Sequence, residues 1–401
     1  MLDPAHDHAE RGFACSASQG DFLTQKWAEL GGFQALTDHY APDGRPPPAG
    51  ANFQQPHLAE SLRLLQRDGA EGFYRGELGW RIAHGLADAG SLLSAADLAA
   101  FQGRQVKPIG VPYRNGRAVN MPPPTQGLAS LLILGQLDHF DLTRHSHRSA
   151  DYVHLVVEAT KQAFRVRDRH VADPEHVDVP VADLLSPERI AGLAAEIDMA
   201  RAAPWGQGVG PADTVWFGVV DGHGRAVSAI QSIYHEYGSG VVAGETGILW
   251  QNRGTSFSLD PRHVNVLKPG KRPFHTLNPA MYLENGRPRL VYGTMGGDGQ
   301  PQTQAMLFSR HVMFRQPLPE AIEAPRWLLG RTWGSTHTNL RMESRFGGGL
   351  IDRLMSAGHD VAVLDEAFSD TMGHAGAAIL HSDGTMEAAH YPRADPGAFG
   401  V

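Results

Sequence analysis

The sequence predicts an α+β fold in which antiparallel sheets are covered by helices. The first half of the 401-residue chain, up to about residue 200, has mainly helical periodicity. The second half contains pairs of apolar segments separated by short turns, which is typical of hairpins. Hairpins that alternate with groups of helices favour antiparallel sheets over a doubly wound parallel sheet. A glycine-rich nucleotide loop between a strand and a helix is also missing from the sequence.

The helices of the first half are predicted from apolar periodicity and from capping residues. Gly69 marks the end of one helix, and Ser94 with Asp97 forms a capping box at the start of another. Asn115-Gly116 predicts a hairpin turn within residues 105–121. The helices are expected at 56–68, at 77–89, from 94, at 128–137, at 149–172 and from 186.

The second half is predicted to contain three hairpins. A loop rich in Gly, Pro and Ala at 203–211 precedes the first strand. The predicted strand pairs are 214–220 with 226–234, 280–283 with 290–293, and 377–380 with 386–390. Helices are expected between them at about 300–314, 318–325 and 345–357.

Composition excludes several classes of function. The chain is 42% hydrophobic and has a formal net charge of −8 without a basic block, so neither nucleic acid nor an anionic membrane is an expected partner. No apolar run approaches the roughly 18 residues of a membrane span. The single cysteine, Cys15, excludes an internal disulfide and a cysteine-rich metal site.

The histidines do not predict a metal centre, although there are 21 of them. His145 and His147 lie two residues apart, and His170 and His176 flank Asp173. Neither arrangement is the i, i+4 pair with an intervening Glu that is typical of a zinc helix. We therefore expect no metal and no cofactor.

Thr214 is the candidate nucleophile. It opens an apolar strand directly after a loop and Asp213. A threonine hydroxyl needs a base, and cutting the chain just before the residue would supply its own α-amine, whose pKa is about 8. An ordinary strand threonine is the alternative interpretation, because Thr favours strands.

Several motifs in a fixed order give Thr214 its context. They lie at 158–164, 167–168 and 173–174 in the first half, and at 214–221, 238–240, 247–249, 271–273, 293–297 and 393–396 in the second. Together they resemble the γ-glutamyltransferase-like branch of the N-terminal-nucleophile hydrolases over nearly the whole chain.

The resemblance implies a four-layer αββα sandwich and a precursor that cleaves itself. The cut would fall between Asp213 and Thr214 and would produce a partial large segment, 1–213, and a small segment, 214–401. The two segments are expected to stay associated as one interleaved structural unit. The beginning of this chain resembles the middle of the family's large segment, so the N-terminal part of the family is expected to be missing.

The resemblance also implies roles for individual residues. Thr214 attacks an amide, and Ser232 hydrogen-bonds the nucleophile unless it is an ordinary strand serine. Gly296 and Gly297 supply backbone N–H groups to the oxyanion, since glycine lets the backbone approach a substrate closely.

The substrate-binding positions depart from the γ-glutamyl pattern. The residues at these positions are Tyr234, Arg253, Ser256, His275 and Thr276. Arg253 would repel the glutamyl ammonium, whereas a guanidinium suits a carboxylate. A structural ion pair is the alternative role for Arg253.

The motifs at 231–238, 251–254 and 296–302 resemble a narrower subgroup that includes the oxamate amidohydrolases. The expected activity is hydrolysis of a small carboxylate-bearing amide such as oxamate. The enzymatic alternatives are a γ-glutamyltransferase or glutathione hydrolase and a cephalosporin acylase-like enzyme, and the non-enzymatic alternative is an unprocessed, inactive fragment. The subgroup favours the cytoplasm over the periplasm, and no oligomeric state is predicted.

Overall fold

The computed structural model of the protein forms two compact units. It describes residues 1–205, 213–330, 338–390, 393 and 397–400. Unit 1 contains Met1–Gln105 and Glu236–Asn252, and unit 2 contains Val106–His235 and Arg253–Val401. Each unit therefore contains residues from both sides of position 213.

Unit 1 is mainly helical. Its elements are α1 (Asp3–Arg11), β1 (Phe13–Ala14), α2 (Ala17–Leu30), α3 (Gln34–Tyr40), β2 (Asn52–Phe53), α4 (Pro56–Arg75), α5 (Glu77–Asp88) and α6 (Ala95–Ala100). Gly69, the predicted helix end, has φ +70° and breaks the helical geometry inside α4. The predicted capping box of Ser94 and Asp97 is present at the start of α6.

Unit 2 contains the larger core. Its helices are α7 (Gly127–Leu137), α8 (Ala150–His170), α9 (Val181–Leu184), α10 (Pro187–Ala195), α11 (Gly299–Phe308), α12 (Leu318–Glu323) and α13 (Gly348–Ser356). Its strands are β3 (Ile109–Tyr113), β4 (Gly116–Asn120), β5 (Asp213–Val220), β6 (Ala226–Tyr234), β7 (Ala280–Glu284), β8 (Arg287–Gly293), β9 (Trp327–Leu329), β10 (Leu340–Met342), β11 (Val361–Val363), β12 (Gly376–Leu380) and β13 (Met386–His390).

The strands of unit 2 form one large sheet, one hairpin and one small sheet. The large sheet has six strands in the order β13-β12-β8-β7-β4-β3, and every neighbouring pair is antiparallel. Strands β5 and β6 form a separate antiparallel hairpin. The three strand pairs predicted in the second half are all present. The small sheet, β11-β10-β9, was not predicted, and its β10–β11 pair is parallel.

The six-stranded sheet lies between helices and the β5–β6 hairpin. Helix α7 is buried along its whole length and contacts β3 and β4, while α11 contacts β8. Tyr292 of β8 packs against Phe308 of α11, and its neighbour Gly293 contacts the hairpin instead. Successive strand residues point to opposite faces. Helix, sheet and hairpin therefore follow one another in the order expected for the predicted sandwich.

Trp216 fixes the hairpin on the sheet two residues after Thr214. A Cβ built on Gly293 or on Gly376 would lie 2.1 Å or 2.7 Å from the indole of Trp216, so the ring needs glycine at both positions beneath it. The indole Nε1 donates a hydrogen bond of 2.9 Å to Ser228 Oγ on the neighbouring strand. This contact holds the strand that begins with Thr214 in one place over the sheet.

Among the described residues, no helix combines the length and the apolar character needed to cross a bilayer.

Candidate active site

Thr214 lies at an irregular point of the β5–β6 pairing. Asp213 pairs with Tyr234 but Val215 pairs with Gln231, so the register shifts at Thr214. Ser232 and Ile233 of β6 thus oppose the single residue Thr214, and bulges of this kind are common next to active sites. The Thr214 hydroxyl donates a hydrogen bond of 3.1 Å to Ser232 Oγ. The structure thus brings together the two hydroxyls that the sequence predicted; the Asp213 side chain lies outside the described residues.

Tyr234 joins this hydroxyl pair to a buried arginine. Its backbone N–H donates a hydrogen bond of 2.9 Å to Ser232 Oγ, and its backbone has φ +83°, which is rare for a bulky residue. The guanidinium carbon of Arg253 lies 3.9 Å from the centre of the Tyr234 ring. This distance is well within the range of a cation–π interaction.

Arg253 is almost completely buried and keeps its charge. Only 4% of the residue is exposed, and Nη1 donates a hydrogen bond of 3.0 Å to Thr276 Oγ1. Burial lowers the pKa of Arg253 to about 10, while Tyr234 and Asp298 oppose the shift. The guanidinium is therefore positively charged at neutral pH.

Ser256 and His275 lie beside the same arginine. Ser256 ends the short 3-10 turn that Arg253 begins, and the Ser256 hydroxyl partly offsets the rise that burial causes in the pKa of Tyr234. Burial and the charge of Arg253 lower the pKa of His275 to about 3. His275 is therefore neutral at physiological pH and adds no second positive charge.

Gly296 and Gly297 form a turn between β8 and α11. Their φ angles are +112° and +51°. The +112° of Gly296 in particular is a backbone conformation that residues with a Cβ rarely adopt. The carbonyl of Gly296 accepts from the backbone N–H of Gly299 at 2.7 Å, and that of Gly297 accepts from Gln300 at 3.2 Å. That the N–H groups of Gly296 and Gly297 stabilise an oxyanion stays a prediction.

Gln126 connects the glycine turn to the arginine pocket, and the sequence did not predict its role. The Gln126 side chain is completely buried, and Nε2 donates hydrogen bonds of 2.7 Å to the carbonyls of both Thr276 and Gly297. Its Oε1 accepts a bond of 3.0 Å from Nη1 of Arg167. Gln126 follows Pro-Pro-Pro-Thr at a helix start, where the only sequence signal is a turn.

Arg167 supports the site from the end of helix α8. It lies in a charged stretch of the sequence, 165–169, yet it is only 1% exposed. Its Nη1 lies 2.9 Å from Asp298 Oδ1, and its guanidinium lies 4.0 Å from the centre of the Phe164 ring. Arg167 is therefore internally paired and lies in the core behind the site.

The segment before the predicted cleavage point is attached to helix α8. Glu158 Oε2 accepts from the N–H of Ala203 at 3.0 Å, and Lys161 Nζ donates to the Ala203 carbonyl at 2.7 Å. Arg165 Nη2 donates to the carbonyl of Pro204 at 2.7 Å. Residues 206–212, which complete the predicted loop, lie outside the described residues.

One buried cluster has the donor types of a metal site. His154, Glu158 and His359 each offer a ligand atom, and these atoms lie within 4.8 Å of one another. However, Lys161 Nζ lies 2.7 Å from Glu158 Oε1, and His154 Nδ1 lies 2.8 Å from His359 Nε2. A cation would have to displace the lysine ammonium, so we interpret the cluster as an internally paired network. That the chain needs no metal stays a prediction.

A cavity of about 360 Å³ opens beside Thr214. Met295 and His374 line it together with small residues of β12 and β13. Of the predicted site residues, only Thr214 is among its described lining residues. The cavity gives the Thr214 side of the site space for a small molecule, and Arg253 is not part of its wall.

The sequence matches known proteins along its whole length. A sequence profile of the gamma-glutamyltranspeptidase family matches residues 1–401. The oxamate amidohydrolase proenzyme of Klebsiella pneumoniae subsp. pneumoniae is 50% identical over 400 residues, which cover 100% of this chain and 75% of the relative. The glutathione hydrolase-like YwrD proenzyme of Bacillus subtilis is 40% identical over 401 residues, which cover 100% of this chain and 76% of the relative.

Among solved structures, the cephalosporin acylase from Bacillus halodurans superposes with a TM-score of 0.90 at 31% identity, covering 98% of this chain and 72% of that chain. This match, with the antiparallel sheets described above, confirms the predicted α+β fold class of the N-terminal-nucleophile hydrolase type.

The fold and the relatives together indicate an amidohydrolase with an α+β sandwich fold. The chain belongs to the gamma-glutamyltranspeptidase family.

Proposed function

We propose that the protein is a self-processing amidohydrolase that uses Thr214 to hydrolyse a small carboxylate-bearing amide such as oxamate. The observation that supports this best is the environment of Arg253, which is buried, charged, stacked on Tyr234 and bonded to Thr276. Tyr234 in turn connects it to Ser232 and Thr214 through hydrogen bonds.

Self-processing creates the nucleophile. The Thr214 oxygen attacks the carbonyl carbon of Asp213, and the peptide bond rearranges to an ester. Water then hydrolyses the ester, which leaves a carboxylate on Asp213 and a free α-amine on Thr214. That amine is the base that the hydroxyl otherwise lacks.

Turnover follows the same chemistry on a substrate amide. The α-amine accepts the hydroxyl proton of Thr214 while the oxygen attacks the amide carbon. The N–H groups of Gly296 and Gly297 stabilise the oxyanion, and the amine returns the proton to the leaving nitrogen. Water then hydrolyses the acyl-enzyme. With oxamate and one water, the products are oxalate and ammonium.

Arg253 selects the substrate class by its charge. A buried guanidinium attracts a carboxylate through charge-assisted hydrogen bonds and repels an ammonium. The nearby carboxylate of Asp298 is paired with the guanidinium of Arg167 at 2.9 Å, so the two together add no net negative charge beside Arg253. A γ-glutamyl substrate, which carries an α-ammonium, is therefore disfavoured.

We also propose that the two segments stay together after cleavage. The small segment contains both strands of the β5–β6 hairpin, and its strands β7, β8, β12 and β13 share a sheet with β3 and β4 of the large segment. Helix α8 of the large segment also donates a hydrogen bond of 2.9 Å from Arg167 Nη1 to Asp298 of the small segment. Separation would require breaking the six-stranded sheet.

The test compares oxamate with a γ-glutamyl amide for the wild type and for Arg253→Ala. We expect Arg253→Ala to lower kcat/KM for oxamate by about 10²–10³-fold, mainly by raising KM. Removing one partner of a buried, charged hydrogen bond costs about 2–5 kcal/mol of binding free energy. Arg341→Ala is the matched control, because Arg341 is also a buried arginine, bonded to the Gly330 carbonyl outside the site. Unchanged oxamate turnover in Arg253→Ala would contradict the carboxylate assignment.

A glutathione hydrolase is the second candidate. It is favoured by the 40% identity to the glutathione hydrolase-like YwrD proenzyme of Bacillus subtilis. The same assay separates the two, because this alternative predicts faster turnover of the γ-glutamyl amide and a gain for that substrate in Arg253→Ala.

A further inference from the structure

We propose that Gln126 is a positioning residue that holds the oxyanion turn and the carboxylate pocket in register. This inference rests on the function proposed above. Gln126 touches neither substrate nor nucleophile in that scheme. It acts through Thr276, the partner of Arg253, and through Gly297 of the glycine pair.

The hydrogen bonds of Gln126 fix its orientation. Both N–H groups of its amide are used, because Nε2 donates to the carbonyls of Thr276 and Gly297 at 2.7 Å each. Its Oε1 faces a donor, the Nη1 atom of Arg167, at 3.0 Å. A flipped amide would place its oxygen against two carbonyl oxygens and its nitrogen against a guanidinium. The network therefore assigns one orientation.

The support behind Gln126 is rigid. Arg167 is buried and donates from the same nitrogen to Asp298 Oδ1 at 2.9 Å, and Asp298 directly follows Gly297. The backbone N–H of Gln126 donates to the carbonyl of His275 at 2.9 Å, and the N–H of His275 donates to Pro124 at 2.9 Å. The segment of His275 and Thr276 and the turn of Gly297 are thus both hydrogen-bonded to the short turn before α7.

This arrangement matters because the two halves of the site come from different parts of the chain. Thr276 lies in the segment before β7 and Gly297 lies after β8, yet an oxamate carboxylate and its amide carbon are directly bonded. A small displacement between the two halves would misplace either the carboxylate or the oxyanion. Misplacement of a reacting group by about 1 Å can cost about 10²-fold in rate.

The chain offers a matched control in Gln136. It is also a completely buried glutamine, and its Nε2 also donates to two backbone carbonyls, those of Leu132 at 3.0 Å and Ala159 at 3.2 Å. None of these groups belongs to the site. Gln126→Met and Gln136→Met therefore remove the same kind of bonds from the same core.

The experiment measures kcat and KM for oxamate and for its neutral analogue oxamide. For oxamate, we expect Gln126→Met to lower kcat and to raise KM, so that kcat/KM falls about 10–100-fold. For oxamide, we expect it to lower kcat without an equal change in KM. Gln136→Met is expected to stay within about twofold of the wild type in both parameters at a comparable loss of thermal stability. In an Arg253→Ala background, Gln126→Met should no longer change the ratio of oxamate to oxamide turnover. Equal kinetic effects of the two glutamine variants would overturn the proposal.

A second measurement keeps the inference testable if oxamate proves not to be a substrate. In the Thr214→Ala background, amide hydrogen exchange of the peptides containing Thr276 and Gly297 should be about tenfold faster in Gln126→Met than in Gln136→Met. Equal exchange would refute the positioning role whatever the substrate. Faster exchange without oxamate turnover in the wild type would retain the role and reject the proposed substrate.

Discussion

The hydroxyl of Thr214 lies 3.1 Å from Ser232 Oγ, and this bond crosses the hairpin at the point where its register shifts. Ser232 Oγ also accepts the backbone N–H of Tyr234 at 2.9 Å, which leaves its oxygen in one position. Ser232 thus orients the candidate nucleophile, Thr214, and the backbone N–H of Tyr234, which packs on Arg253, holds Ser232 in turn.

Replacing Ser232 by Ala should slow both self-cleavage and turnover. The change removes one neutral hydrogen bond to the nucleophile, which contributes about 1 kcal/mol, so we expect a decrease of about fivefold in each rate. Ser61→Ala is the control, since it removes the hydrogen bond of a buried serine hydroxyl to the Thr246 carbonyl in unit 1. Equal rates for the two variants would show that Ser232 has no specific role.

The Tyr234 ring should matter for carboxylate binding more than its hydroxyl does. Tyr234→Phe keeps the aromatic face 3.9 Å from the Arg253 guanidinium, whereas Tyr234→Leu removes it. A buried cation–π interaction contributes about 2 kcal/mol, so KM for oxamate should rise about 30-fold in Tyr234→Leu and much less in Tyr234→Phe. Steady-state kinetics on both variants checks this, and an equal loss in both would assign the effect to the hydroxyl.

The buried pair of Glu158 and Lys161 should contribute strongly to stability. Both side chains are less than 5% exposed, and their charged atoms lie 2.7 Å apart. Lys161→Met leaves Glu158 buried without its counter-charge, so the free energy of unfolding should fall by about 3–5 kcal/mol. Urea unfolding in the Thr214→Ala background, where the chain is expected to stay in one piece, measures this.

The exposed pair of Arg353 and Asp151 is the control for that experiment. Arg353→Ala should cost less than about 1 kcal/mol. Adding Glu158→Gln to Lys161→Met should recover part of the loss. A cost for Lys161→Met no larger than that for Arg353→Ala would contradict the interpretation of the cluster as a paired network.

Stability should fall in mild acid because of His359. Burial, together with the charges of Lys161 and His154, lowers its pKa from 6.5 to about 3. The unfolded chain takes up this proton below pH 6.5 and the folded chain does not, so stability declines as the pH falls from about 6.5 to about 3 and is unaffected above that window. His359→Gln should make the decline shallower in urea unfolding between pH 7 and pH 4. Parallel curves for the two proteins would contradict the assignment.

The strand pairs were predictable because their turns carry local signals. Asn115-Gly116, Asn285-Gly286 and Asp383-Gly384 each connect two strands that the structure contains. The small sheet β11-β10-β9 was missed because each of its strands has only three residues, which is too short for periodicity. The β10–β11 pair is parallel, so no turn connects its strands.

The parts of the site that the sequence missed depend on tertiary contacts. Gln126 lies in a proline-rich turn, and only the folded chain brings Thr276 and Gly297 to its amide. The charged neighbours of Arg167 do not reveal from sequence alone that it is buried and paired with Asp298. Its spacing of three residues from Phe164 on the apolar face of α8 was the signal that it points inward.

The measurement that tests the central claim most directly is the intact mass of the purified protein beside that of Thr214→Ala. We expect the wild type to give two pieces, of which the second begins at Thr214 and contains 188 residues, and the variant to stay whole. A folded wild-type chain that remains uncut, or a cut at the same bond in Thr214→Ala, would contradict the assignment of Thr214 as the self-generated nucleophile.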